Sequence, residues 1–212
     1  PISLLSCKSQ TEEDVTHCNV SFCQGFQDGS YCLFGLKWGE DQNFDFGGIE
    51  SMGPQFSGGI ITFSFVTETL IISSGLNVGL ETVPFDDKGE CARDQARLAL
   101  AEWEKHADFS FQEVDDNSDS DIKFVAAAGV IAALGNPNFE DNNCQGLSGR
   151  VFFSGSEIPC ELIYSLCLHE IGHVLGLGHV NSSTIMGTAS SNGIDKLQAG
   201  DIAGIQAIYG KK

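Results

Sequence analysis

The chain has 212 residues, a formal net charge of −18, 42% hydrophobic and 19% charged residues. This is the composition of one globular domain, or one domain with a small appendage, large enough to bury a real core. An acidic surface repels phosphates, so nucleic acid and anionic membranes are excluded as partners, and no apolar run approaches the ~20 residues of a membrane span. Pro1 does not open a cleavable leader, as expected of a mature or trimmed chain. The eight Cys are even in number, which reads as up to four disulfides in an oxidising, extracellular compartment. Their connectivity is not legible. Asn19-Val20-Ser21 and Asn181-Ser182-Ser183 fit the glycosylation pattern.

Residues 1–55 have weak periodicity, with Cys7, Cys18, Cys23 and Cys32 set among Gly, Ser, Asp and Gln. This reads as a loop-rich segment stapled by its own disulfides, with a capping or substrate-binding role as alternatives. Gly47-Gly48 and Gly53-Pro54 punctuate its boundary with a domain over 56–212. Ile60–Val66 is β-rich and alternates near its end, and residues 70–84 hold a further strand or a surface excursion. From Glu90 to Lys105 the spacing of Ala92, Ala96, Ala99 and Trp103 predicts a helix with one apolar stripe. His106 at its C-terminal end and His17 are read as surface residues, not ligands. Phe109–Val114 and Asp121–Val125 read as strands around an acidic loop, 115–121. Residues 129–137 form a further strand. Residues 136–146 carry Asn138, Glu140, Asp141, Asn142 and Asn143 and read as a solvated loop. Both oxygen-rich loops could hold calcium, which is left unassigned. Gly149–Phe153 is a short strand. Pro159 and Glu161 suit a helix start, with Leu162, Leu166, His169 and His173 along one side. Cys160 and Cys167 flank that helix as disulfide cysteines, either one able to join Cys144. The last helix, about Ala199–Tyr209, turns Ile202, Ile205 and Ile208 inward and stops at Gly210.

The second-last helix carries His169-Glu170-Ile171-Gly172-His173-Val174-Leu175-Gly176-Leu177-Gly178-His179. Two His four residues apart are rotated by only ~40°, so both imidazoles lie on one helix face and can grip one ion. Gly176 lets the chain leave the helix through a conformation that Cβ-bearing residues resist, swinging His179 toward the same ion. Three neutral nitrogens with one open position suit a catalytic zinc, and Glu170 lies within reach of a zinc-bound water. Gly172 costs the helix about 1 kcal/mol relative to Ala, which close packing of a neighbouring segment would repay.

These residues resemble the metzincin metallopeptidases. Ser183-Thr184-Ile185-Met186-Gly187 is similar to the clan's Met-turn, and Leu197–Gly210 to the last helix of its matrixin branch. Thr188 replaces the Tyr that the astacin and serralysin branches place two residues after the Met, and Val180 the Asp that the adamalysin branch places after the third His. The resemblance implies an α+β fold over 56–212: a mixed, twisted sheet, an active-site helix and a Met-turn, with zinc in a cleft between upper and lower parts. Met186 would be an apolar floor under the ligand rings. Ile131, Ala132, Ala133 and Leu134 would lie in the edge strand that offers its backbone to an extended substrate, unless that strand is internal. Ala133 stands where animal matrixins have a His for a second zinc, so one zinc is expected.

The implied activity is secreted, zinc-dependent hydrolysis of peptide bonds by a monomer. A zinc-bound water attacks, with Glu170 as general base and His169, His173 and His179 as metal ligands. The alternatives are an inactive secreted binding module, or a latent peptidase whose first fifty-odd residues cover the cleft, a Cys thiolate taking the fourth zinc position. The family's propeptide Cys motif is absent.

Overall fold

The structure, a computed structural model, describes residues 22–24, 31–33, 38, 58–69, 71–73, 79–116, 119–127, 133–139, 146–181, 183–187 and 194–212. The expectations for Cys7, His17, Cys18, Asn19, Ile131, Ala132, Cys144 and Thr188 lie outside them. So does the glycine-rich boundary at 47–54.

The domain is a mixed sheet with two long helices packed together and a third near the chain's end. Strands β1 (Phe22–Gln24) and β2 (Tyr31–Leu33) precede β3 (Gly59–Phe65). A short hairpin, β4 (Ile71–Ser73) and β5 (Gly79–Val83), and a 3-10 turn at Phe85–Lys88 lead into α1 (Glu90–Glu104). Next come β6 (Phe109–Glu113), β7 (Ile122–Ala127), β8 (Ala133–Phe139) and β9 (Gly146–Ser154). Then follow α2 (Cys160–Val174), β10 (Leu177–Gly178) and α3 (Ala199–Tyr209). β3 is parallel to β6 and β7, and β7 is parallel to β9. β8 runs antiparallel to β9. The five strands thus read β6-β3-β7-β9-β8, with β5 antiparallel to the far end of β7 and β4 paired to β5. A mixed sheet with helices is the α+β arrangement expected.

The helices form where the periodicity places them. Ala92, Ala96, Ala99, Leu100 and Trp103 are the buried stripe of α1. Trp103 has its indole N–H on the Leu168 carbonyl at 3.0 Å, which locks α1 to α2. Phe63, Phe65, Phe85, Phe124 and Phe153 pack as a ring cluster on one sheet face, with centroids 5.0–6.3 Å apart. Such aromatic contacts add to the area they bury. Phe152, alternating with Phe153, turns to a second cluster with Val66, Val125 and Ala127.

Three expectations change. The strand expected over 129–137 runs on through Asn138 and Phe139, read as loop: their backbone pairs with Ser148 and Gly146 of β9, and ladder pairing outweighs the turn preference of Asn. Cys160 pairs with Cys91, not Cys144, and Cys167 is a free, fully buried thiol, not half of a disulfide. Cys167 faces the core about two turns beyond Cys160. The buried face of α2 runs through Ile163, Cys167, Leu168, Ile171 and Val174, with Leu162 exposed. In α3, Ile205 and Ile208 are buried, with Ile202 half-buried.

Candidate metal centre

Helix α2 starts after Pro159, whose missing N–H costs nothing there. It carries His169 and His173 on adjacent turns of one face. The helix ends at Leu175, and Gly176 follows with φ 107°, a conformation that Gly alone enters cheaply. β10 then delivers His179. The three Nε2 atoms lie 3.1 Å from one another. Zn–N bonds of about 2.0–2.1 Å at tetrahedral angles imply N···N spacings of about 3.3 Å, so the triangle fits that ion.

The ring tautomers follow from the neighbours. His169 Nδ1 is 2.5 Å from the Ile185 carbonyl and His173 Nδ1 is 2.8 Å from the Leu177 carbonyl. A carbonyl only accepts, so both Nδ1 atoms carry the proton and both Nε2 atoms present lone pairs. At most one proton could then sit among the three converging nitrogens. A cation satisfies all of them, and such outer hydrogen bonds orient metal-ligating imidazoles. Burial pushes His173 down to about 3. His179 is lowered by burial first and then by the neighbouring His169. Both are neutral at physiological pH, as ligation requires.

Glu170 is 7% exposed. Burial raises its carboxyl above the usual range, opposed by His169 and by the Gly135 N–H. That N–H, from β8, donates to Glu170 Oε2, so the edge strand lies directly against the carboxylate. Ala133 and Leu134 are in β8, opposite Phe153 and Phe152. Among the described strands, β8 pairs with β9 alone.

Met186 is buried, 2% exposed. A Cβ at Gly172 would overlap Met186 Sδ and come within 3.1 Å of Trp103. The glycine's helical cost therefore admits the methionine against the helix between the two His. Asp201, buried in the first turn of α3, was not foreseen as a site residue. Its carboxylate accepts from the backbone N–H of Ile185, Met186 and Gln198 at 3.1, 3.1 and 2.7 Å. It thereby holds the turn whose Ile185 carbonyl orients His169. The available signal was Gln198 preceding Asp201 by three at a helix start, a capping-box spacing. The acidic loop differs: Asp116 and Asp121 each use one oxygen on the backbone N–H and hydroxyl of Thr67 and Thr62, which leaves them bracing strands. Asn181 is exposed, two residues past His179.

The geometry brings together three His, two on α2 and one beyond it, in a group that could hold a metal ion, beside a carboxylate bonded to β8. Residues 80–210 match the matrixin family profile, and the chain belongs to that family of zinc metalloendopeptidases. It is 29% identical to matrix metalloproteinase-19 of Homo sapiens over 143 residues, 57% of this chain and 26% of that protein. It is 29% identical to metalloendoproteinase 1-MMP of Arabidopsis thaliana over 134 residues, 54% of this chain and 36% of that protein. To matrix metalloproteinase-26 of Homo sapiens it is 30% identical over 146 residues, 61% of this chain and 55% of that protein. The chain thus spans between about a quarter and about half the length of these relatives.

Proposed function

We propose that this chain is a zinc-dependent endopeptidase, with His169, His173 and His179 holding one zinc and Glu170 as general base. The observation that carries the reading is the 3.1 Å triangle of Nε2 atoms, two of them fixed as acceptors by carbonyls behind the rings. A zinc ion held there supplies Lewis acidity, lowering the pKa of water and polarising a carbonyl. Glu170, in the same helix turn as His169, takes the proton of the attacking water and returns it to the departing amine. The edge of β8 lies against Glu170 and offers backbone N–H and C=O groups to an extended peptide. Ile131, Ala132, Ala133 and Leu134 are the stretch that binds it. Met186 supports the rings from below.

Secretion as a monomer is the matching setting. The Cys91–Cys160 disulfide and the net charge of −18 support an oxidising, extracellular location. No described helix is long and apolar enough to cross a membrane. Calcium stays without assigned ligands.

The test is Glu170→Gln. That variant should keep one zinc per chain by metal analysis and lose about 10²–10⁴-fold in turnover of a casein or fluorogenic peptide substrate. Wild-type turnover in that variant would remove Glu170 from the mechanism, and a chain that takes up no zinc would remove the whole reading.

A further inference from the structure

We propose that strand β2 and Trp38 are a permanent part of the metal centre, a strut that positions His173 and His179 from behind. They are not a removable cover over it. The inference rests on the reading of the three His as the zinc site.

Helix ends leave carbonyls without intrahelical partners, and at the end of α2 these lie between the second and third His. Trp38 Nε1 donates to the Val174 carbonyl at 2.9 Å. The Trp38 backbone N–H donates to the Tyr209 hydroxyl at 3.2 Å, which itself donates to the Leu175 carbonyl at 2.9 Å. Trp38 and Tyr209 are 3% and 0% exposed, so these bonds are shielded from water and expensive to leave unmade. Past the Gly176 turn, β10 pairs with β2: Leu177 lies opposite Leu33 and Gly178 opposite Cys32. Cys32 is itself disulfide-bonded. The fit is close, since a Cβ at Gly204 of α3 would lie 2.9 Å from both Leu177 Cδ2 and Tyr31 Cβ.

The route to the ion is short. Leu177, held in the ladder by Leu33, presents the carbonyl that fixes His173 Nδ1. Gly178, held by Cys32, precedes His179. Every one of these contacts meets the backbone or the Nδ1 side of the ligands, the side turned away from the three Nε2 atoms. A cover would meet the Nε2 side. Trp38 and Tyr209 are therefore positioning residues.

The experiment uses the full chain with Tyr209→Phe, which keeps the ring and loses only the hydroxyl that bonds Trp38 and Leu175, and Trp38→Phe, which loses the indole N–H donor to Val174 and part of the ring. Zinc affinity is read by chelator competition, ligand geometry by the absorption bands of the cobalt-substituted protein, and kcat and KM with a peptide substrate. Thermal stability of the metal-free chains is the control. Each variant should bind zinc about tenfold more weakly, as loss of an outer partner typically does, with altered cobalt bands and a fall in kcat at little-changed KM. Variants that lose thermal stability but keep wild-type cobalt bands and zinc affinity would overturn the strut. So would a rise in peptidase activity on removing residues 1–38. A wild-type chain that takes up neither metal sinks the zinc reading as well; a wild-type chain that binds both, with variants identical to it, sinks the strut alone.

Discussion

One carboxylate, Asp201, holds three backbone N–H groups in a place with 2% exposure. Asn in its place offers one acceptor oxygen and turns an NH₂ toward a donor. Hydrogen bonds to a charged group are worth about 1.5–3 kcal/mol each, so Asp201→Asn should lower the melting temperature by roughly 5–10 °C for a domain of this size. It should also weaken zinc binding, because the Ile185 carbonyl loses its hold on His169; calorimetry and chelator competition check the two effects. The contrast between Asp201 and the His triad shows what a sequence exposes. Four-residue spacing on a helix is set by covalent geometry, so His169 and His173 were readable at once, and Gly176 marked the exit to His179. Asp201 acts on backbone groups 15 and 16 residues away, and backbone acceptors carry no letter of their own. Trp38 gave no signal at all, since its partners, the Val174 carbonyl and the Tyr209 hydroxyl, lie 136 and 171 residues on.

Among the elements, α1 and α3 were legible to within a residue, because an apolar stripe and a flanking Gly leave little choice. β8 was legible as a strand, but its end was not. The strand was read to Pro137, and only pairing with β9 carries it on through Asn138 and Phe139. The disulfide between Cys91 and Cys160 was equally hidden, since it joins the first turns of two helices separated by 69 residues. Closing so long a loop removes about 4 kcal/mol of denatured-state entropy in the chain-entropy model. Replacing both Cys with Ser should lower the melting temperature by about 10 °C while leaving the cobalt spectrum unchanged, because the clip sits at the opposite end of α2 from Gly176.

At the scale of the whole molecule, the charge of −18 acts on encounter. A negative field raises the local concentration of cationic ligands and is screened within about 8 Å at physiological salt. Peptides flanked by Lys or Arg should therefore be cut with a several-fold higher kcat/KM than those flanked by Asp or Glu, and the ratio should shrink as salt is raised; equal ratios at all ionic strengths would show that the field is not felt at the cleft. The chain has two Trp, and both indoles donate to carbonyls of the same helix: Trp103 to Leu168 and Trp38 to Val174. They bracket the segment that bears His169 and His173. Intrinsic fluorescence is thus a label-free gauge of that one helix, and stripping the metal with a chelator should shift the emission before the rest of the fold gives way.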